Sequence, residues 1–404
     1  MGHYVYETYD PEMLDIPNDF DFEEEGVDEA YESYSEYRAY IPDPIEGMAP
    51  ASQESLCACE AALQEIAHTV ECLHGSPVEG ALEELLLYVE AVASARAENY
   101  RVSCSSALEY EASRHGGVSI PYSEGELAAL DAAEALRTFA LENRTPVTLD
   151  DICEANRIIA RTSSRADECG SLRERPVFIG ASLFDAEYVA PPEYELEPLM
   201  ADLVNYINGS SSHDPIAKAA IAHVQFVTIH PFEDGNGRTA RAISQRVLAS
   251  CNTAAGLTIP VTAVMMARHH DYIDAIHSLV NPGGPADPSV FVEYFAESCR
   301  LAALWIRSMQ QGLETILARW SEVSDTTDPA QKHIAEAFLR KPVISAAALL
   351  DKLGPDALCH VGKLVDEELL HAASSRFSGT NLYFATDVLS LVDTVPAEML
   401  NNKS

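Results

Sequence analysis

Between residues 53 and 113 apolar side chains recur at three- and four-residue spacing, Leu82, Leu85, Leu86, Val89, Val92 and Ala93 among them. A break falls at Gly75-Ser76-Pro77, so the pattern predicts two helices joined by a turn. The same periodicity predicts helices over 124–142, 149–162, 195–208, 213–228, 237–251, 268–280, 288–320 and 329–340. One stretch departs from it. Arg175-Pro176-Val177-Phe178-Ile179-Gly180, continued by Glu187 to Pro192, is β-prone and bounded by Gly and Pro, which predicts a short hairpin. After the polar segment Ser321–Pro329 the chain reads as helices over 331–340, 344–353 and 356–370 and a hairpin over 377–384, the order of a winged-helix module. The predicted fold is mainly α, a helical core with one β-hairpin and a C-terminal winged-helix domain.

Composition narrows the function. Of 404 residues 47% are hydrophobic, enough for sizeable cores, and 64 acidic against 26 basic side chains give a net charge of −38. Such a surface repels polyphosphate backbones, which argues against nucleic acid as the partner and gives the winged helix a protein-contact role. From Glu7 to Glu36 there are thirteen acidic side chains and no basic one, so residues 1–48 are expected to form a disordered tail. The nine cysteines are odd in number and scattered, as in a reducing compartment. Cys57, Cys59, Cys72 and His74 could in principle hold zinc, but Cys57 and Cys59 are two apart in a helical run and point to different faces. No run approaches the ~20 apolar residues of a membrane span, and the N-terminus lacks a basic patch followed by an apolar run. A soluble, cytoplasmic protein is expected.

The candidate chemistry lies in Phe226-Val-Thr-Ile-His230-Pro-Phe-Glu-Asp234-Gly-Asn-Gly-Arg238-Thr-Ala-Arg241, set between two apolar helical runs. Glycines between helices let backbone N–H groups face an anion at a helix N-terminus, so the first inference is phosphate binding at Gly235, Asn236 and Gly237. Around that loop stand a base (His230), a carboxylate suited to Mg²⁺ (Asp234), an amide donor (Asn236) and two guanidinium groups three residues apart (Arg238, Arg241). Each piece alone is a common turn or a solvated face. Their density in twelve positions is what marks a metal–nucleotide phosphoryl-transfer set.

These residues closely resemble the signature of the Fic family, His-x-Phe-x-Asp/Glu-Gly-Asn-Gly-Arg-x-x-Arg, at every fixed position of 230–241. The resemblance covers roughly 50–320 and includes a hairpin like the family's target-positioning flap, here Val177, Phe178, Ile179 and Gly180. It implies transfer of AMP from ATP to a Ser, Thr or Tyr hydroxyl of a target protein. In that reaction His230 would take the hydroxyl proton, Asp234 would hold Mg²⁺, Asn236 and the loop amides would face the α-phosphate, and Arg238 and Arg241 the β- and γ-phosphates. Gly237 favours AMP transfer, because family members with kinase chemistry carry Lys there. His223, seven residues before His230, reads as a packed core histidine, and Tyr272 competes between an adenine pocket and the core.

A second resemblance is to the family's inhibitory motif Ser/Thr-x-x-x-Glu-Gly/Asn, here Ser94, Glu98 and Asn99. Ser94 and Glu98 lie one helical turn apart on one face. The resemblance implies that Glu98 pairs with Arg241 and keeps the γ-phosphate from it. The implied domains are a tail over 1–48, a Fic core over 49–325 with an inhibitory helix at about 83–99, and the accessory domain over 329–395; both a monomer and a homodimer are open. Two other readings share these residues: removal of AMP by a water that Glu98 positions, and a nucleotide-sensing transcriptional regulator.

Overall fold

One run of the chain, 215–229, is apolar on every face, and a helix of that kind has to lie in the middle of a fold. The computed structural model describes residues 2–8, 36–45, 52–114, 119–142, 146–180, 182–184, 186–209, 214–250, 256–277, 287–323 and 329–396. In chain order these form β1 (His3–Thr8), β2 (Glu36–Ile41), α1 (Gln53–Leu73), α2 (Glu79–Ala97), α3 (Cys104–Arg114) and α4 (Glu124–Ala135), which runs on into π-helical turns over Leu136–Glu142. There follow α5 (Leu149–Ile159), β3 (Phe178–Ile179), β4 (Tyr188–Val189), α6 (Leu196–Asn208), α7 (Pro215–Ile229), α8 (Asn236–Ser250), α9 (Val261–Ala267), α10 (His269–His277) and the long α11 (Ser289–Val323). The chain closes with α12 (Pro329–Arg340), β5 (Val343–Ser345), α13 (Ala346–Leu353), α14 (Ala357–Asp366), β6 (His371–Ser374), β7 (Asn381–Phe384) and α15 (Thr386–Asp393).

Helix α7 starts where Asp214 caps it and Pro215 presets its first turn. It packs against α8 on one side and α11 on the other, while α1 lies along α11. Helix α5 begins with a capping box, Thr148 and Asp151 satisfying each other's backbone groups, and brings its C-terminus to the start of α8.

Three expectations change. The segment 53–113 forms three helices, not two, because the chain leaves α2 through Asn99 at φ +66° and re-enters at Cys104. The first strand of the C-terminal hairpin lies at 371–374, ahead of the predicted 377, and α14 ends at Asp366; the sheet order is β5-β7-β6. Part of the expected disordered tail is folded: β1 pairs antiparallel with β2, Tyr4 opposite Tyr40. The apolar face of this hairpin, Tyr37, Ala39 and Val5, packs on Leu183, Val189 and Phe178, which supplies the burial that its acidic sequence conceals. Residues 9–35 lie outside the described residues. The C-terminal elements share the main core through Leu349, Val361, Leu364 and Val388. Asp393 caps α3, accepting from the Cys104 N–H at 2.8 Å.

Candidate active site

The loop between α7 and α8 is fixed from beneath. His230 ends α7 in the left-handed conformation, φ +50°, a geometry that costs a non-glycine residue about 1 kcal/mol or more. Pro231 then bars any further helix. Phe232 is fully buried against Phe226, and Asn236 brackets it, accepting from the Phe232 N–H at 3.0 Å and donating to its carbonyl at 2.8 Å. Gly235, at φ +76°, lies over α5, where Asn156 Nδ2 donates to the Asp234 carbonyl at 2.9 Å. The result is a turn whose next residues open α8, where a helix leaves its first N–H groups without intrahelical acceptors.

The His230 Nδ1 lies 3.2 Å from the Val227 carbonyl, which can only accept, so Nδ1 carries the proton and Nε2 presents a lone pair. Burial pushes the imidazole pKa down to about 4, with the Arg173 cation adding to the effect, so His230 is neutral at physiological pH. Of the two adjacent acids, Glu233 is buried and paired with Arg165 at 2.8 Å and Arg175 at 3.5 Å. Asp234 keeps 39% of its side chain exposed. It is the more exposed carboxylate of the loop, with Oδ1 accepting from the Gly235 N–H at 2.5 Å and Oδ2 lying 3.6 Å from Arg238 Nη2. Mg²⁺ is commonly held by one or two carboxylates together with substrate phosphates, so this donor set fits the ion without a protein cage. No group of three metal-ligating side chains occurs among the described residues.

Two of the expected phosphate ligands have side-chain partners inside the protein. Asn236 spends its side-chain amide on Phe232, so the donor it turns to the cradle is its backbone N–H. Arg238 is turned inward, Nη1 donating to the Ile159 carbonyl at 2.7 Å and Nη2 lying 3.6 Å from Asp234. A cation at the C-terminus of α5 answers the negative end of that helix, so in this structure Arg238 braces the loop.

Arg241 faces α2. Its Nε donates to Ser94 Oγ at 2.9 Å, and Nη2 donates to the Ser94 carbonyl at 3.0 Å and to Glu98 Oε1 at 2.6 Å. One turn apart on each helix, the contacts form a ladder: Glu90 accepts from Gln245 at 3.1 Å, and Ser94 and Glu98 accept from Arg241. Glu98 caps the C-terminus of α2, and Asn99 after it adopts the left-handed geometry that Gly and Asn tolerate, the physical reason for that residue type here. A β-carbon built on Gly237 would stand 2.5 Å from Glu98 Oε1, so a larger residue there would have to displace the Glu98 carboxylate from its present position.

The predicted hairpin exists as β3 and β4, with Phe178 opposite Val189 and Ile179 opposite Tyr188, and Val177 accepts from the Ala190 N–H at 2.9 Å. Ile179 is 55% exposed, and Gly180 turns the chain at φ +143°. His223 is fully buried, bonded to Ser244 at 3.1 Å and Tyr272 at 3.3 Å and stacked on Phe291. Tyr272 belongs to that aromatic cluster. Sequence reasoning missed Asn156, Glu90 and Arg173. Asn156 had a signal, as a polar side chain inside the apolar stripe Ile152, Ala155, Ile159.

Residues 146–248 match the model of the Fic/DOC family. It is 34% identical over 178 residues to the protein adenylyltransferase fic-1 of Caenorhabditis briggsae, covering 43% of this chain and 31% of that protein. To the protein adenylyltransferase fic-1 of Caenorhabditis elegans it is 31% identical over 199 residues, covering 48% and 35%. The chain thus spans about a third of the length of these curated relatives. A Fic family protein from Desulfovibrio desulfuricans has the same fold, with TM-score 0.53 at 21% identity over 85% of this chain and 98% of that one. No described helix is long and apolar enough to cross a membrane.

Proposed function

We propose that this protein transfers AMP from ATP to a Ser, Thr or Tyr hydroxyl of a protein and that Glu98 holds the activity low. The observation that carries the reading is Arg241, a buried cation beside the loop cradle, held by Glu98 at 2.6 Å while His230 presents a neutral Nε2. In the reaction, Nε2 takes the proton of the hydroxyl whose oxygen attacks the α-phosphorus, and pyrophosphate leaves with the electron pair of the broken bond. Mg²⁺, held through Asp234, would neutralise phosphate charge. The amides at the start of α8 stabilise charge on the α-phosphoryl oxygens. Arg241, when Glu98 withdraws, grips the γ-phosphate and sets the α-phosphorus in line.

The C-terminal order of helix, strand, helix, helix and hairpin supports a winged-helix accessory module. With the chain at −38, we assign it to protein contact. The test is label transfer by the Glu98→Gly protein from ATP labelled at the α- or the γ-phosphate. α-Label alone on protein supports AMP transfer. γ-Label on protein would make it a kinase, and loss of label from a previously modified protein would make it a hydrolase of the modification.

A further inference from the structure

Transfer demands that the base and the strand presenting the hydroxyl meet at one phosphorus, and a misplacement of about 1 Å costs about 100-fold in rate. In this fold one side chain joins them. Arg173 lies in the segment between Gly170 and β3, and none of its side chain is exposed. Nε donates to the His230 carbonyl at 2.8 Å. Nη1 donates to the Arg175 carbonyl at 2.8 Å and lies 3.2 Å from Glu193 Oε1, and Nη2 donates to the Pro191 carbonyl at 2.6 Å. Its own N–H donates to the Pro231 carbonyl at 2.9 Å.

The three carbonyls have distinct places. Residue 175 enters the β3–β4 flap, residue 191 leaves it, and residue 230 carries the base. A guanidinium holds its N–H groups in one rigid plane, so the distances between these carbonyls cannot vary independently. The strained left-handed backbone of His230 needs such over-determination to persist. A second tie runs parallel: the Tyr188 hydroxyl of β4 donates to the Thr228 carbonyl, two residues before His230.

We infer that Arg173 is a positioning residue that locks both ends of the flap to the backbone of His230, so that a hydroxyl presented on the flap arrives at Nε2. This rests on the AMP-transfer reading. The test places Arg173→Lys and Arg173→Met in the Glu98→Gly protein and follows three quantities: automodification from α-labelled ATP, the Kd of Mg·ATP, and hydrogen exchange of backbone amides. Because the fan of donors matters and not the charge alone, both variants should lose about 100-fold in transfer. The Kd should stay within about threefold, since the side-chain bonds of Arg173 go to residues 175, 191, 193 and 230 and not to Arg241 or the first turn of α8. Amides of Glu187, Ala190 and His230 should exchange faster together, with those of α8 unchanged.

A lysine variant at parental rate would overturn the inference, as would variants in which α8 loses protection and ATP affinity falls alongside transfer, the mark of a merely structural residue. If the Glu98→Gly parent transfers no label, the AMP-transfer reading fails by itself. Concerted exchange of 187, 190 and 230 then still supports the Arg173 link, and independent exchange overturns it.

Discussion

The loop between α7 and α8 and the turn that ends α2 face each other across Arg241, and they are held in opposite ways. The loop is fastened by buried contacts: Phe232 under Phe226, Asn236 bracketing Phe232, Asn156 on the Asp234 carbonyl. The turn meets Arg241 through Glu98, whose side chain is 35% exposed, and through Ser94. Buried packing is costly to remove, whereas a carboxylate with a third of its side chain exposed can turn into water while Ser94 keeps two bonds to Arg241. Under the proposed function this difference has a reason: a phosphate cradle would have to keep its shape, and a brake would have to come off.

Breaking the loop chemistry should have the largest effect. His230→Ala should lower transfer by about 10²–10⁴-fold while Mg·ATP affinity stays within about threefold, because the imidazole acts on the attacking hydroxyl. Rates and nucleotide binding measured on the same preparation check this. Asp234→Ala should cost about 100-fold and flatten the Mg²⁺ dependence, since Glu233 is committed to Arg165 and Arg175. A magnesium titration reads it directly.

Stability sharpens the contrast. Phe232→Ala should cost about 3–5 kcal/mol in denaturant unfolding, the loss of a fully buried aromatic, whereas Glu98→Gly, which leaves Arg241 its two bonds to Ser94, should cost less. Glu90, two turns before Glu98 on the same helix, is buried, and desolvation raises its pKa to about 7 against its partners Thr262 and Gln245. The folded state therefore binds its proton more tightly than the unfolded chain. Stability from this group is complete below about pH 4.5 and is lost as pH rises through about 7, by about 3 kcal/mol. Glu90→Gln should abolish that slope in midpoints compared at pH 5 and pH 8.

The motif over 230–241 was legible because its chemistry is contiguous: base, carboxylate, glycines and arginines fall within one loop and one helical turn. The Ser94–Glu98 spacing was legible for the same reason. What escaped depends on distant partners. Arg173 and Glu90 gain meaning only when Pro191, His230, Gln245 and Thr262 are brought to them. Arg238 and Asn236 were visible as donors, but which acceptors they meet is decided by α5 and Phe232. The N-terminal hairpin hid behind its charge, since the acids of 7–36 masked the short apolar face that docks on the flap.

The central claim is that Arg241 is shared between Glu98 and the nucleotide, and a double-mutant cycle on transfer rate tests it most directly. Glu98→Gly alone should raise automodification about tenfold or more, and adding Arg241→Ala should return it to the wild-type level or below, a coupling that only contacting residues produce. Independent, additive effects of the two substitutions, or a Glu98→Gly protein no faster than wild type, would contradict the account.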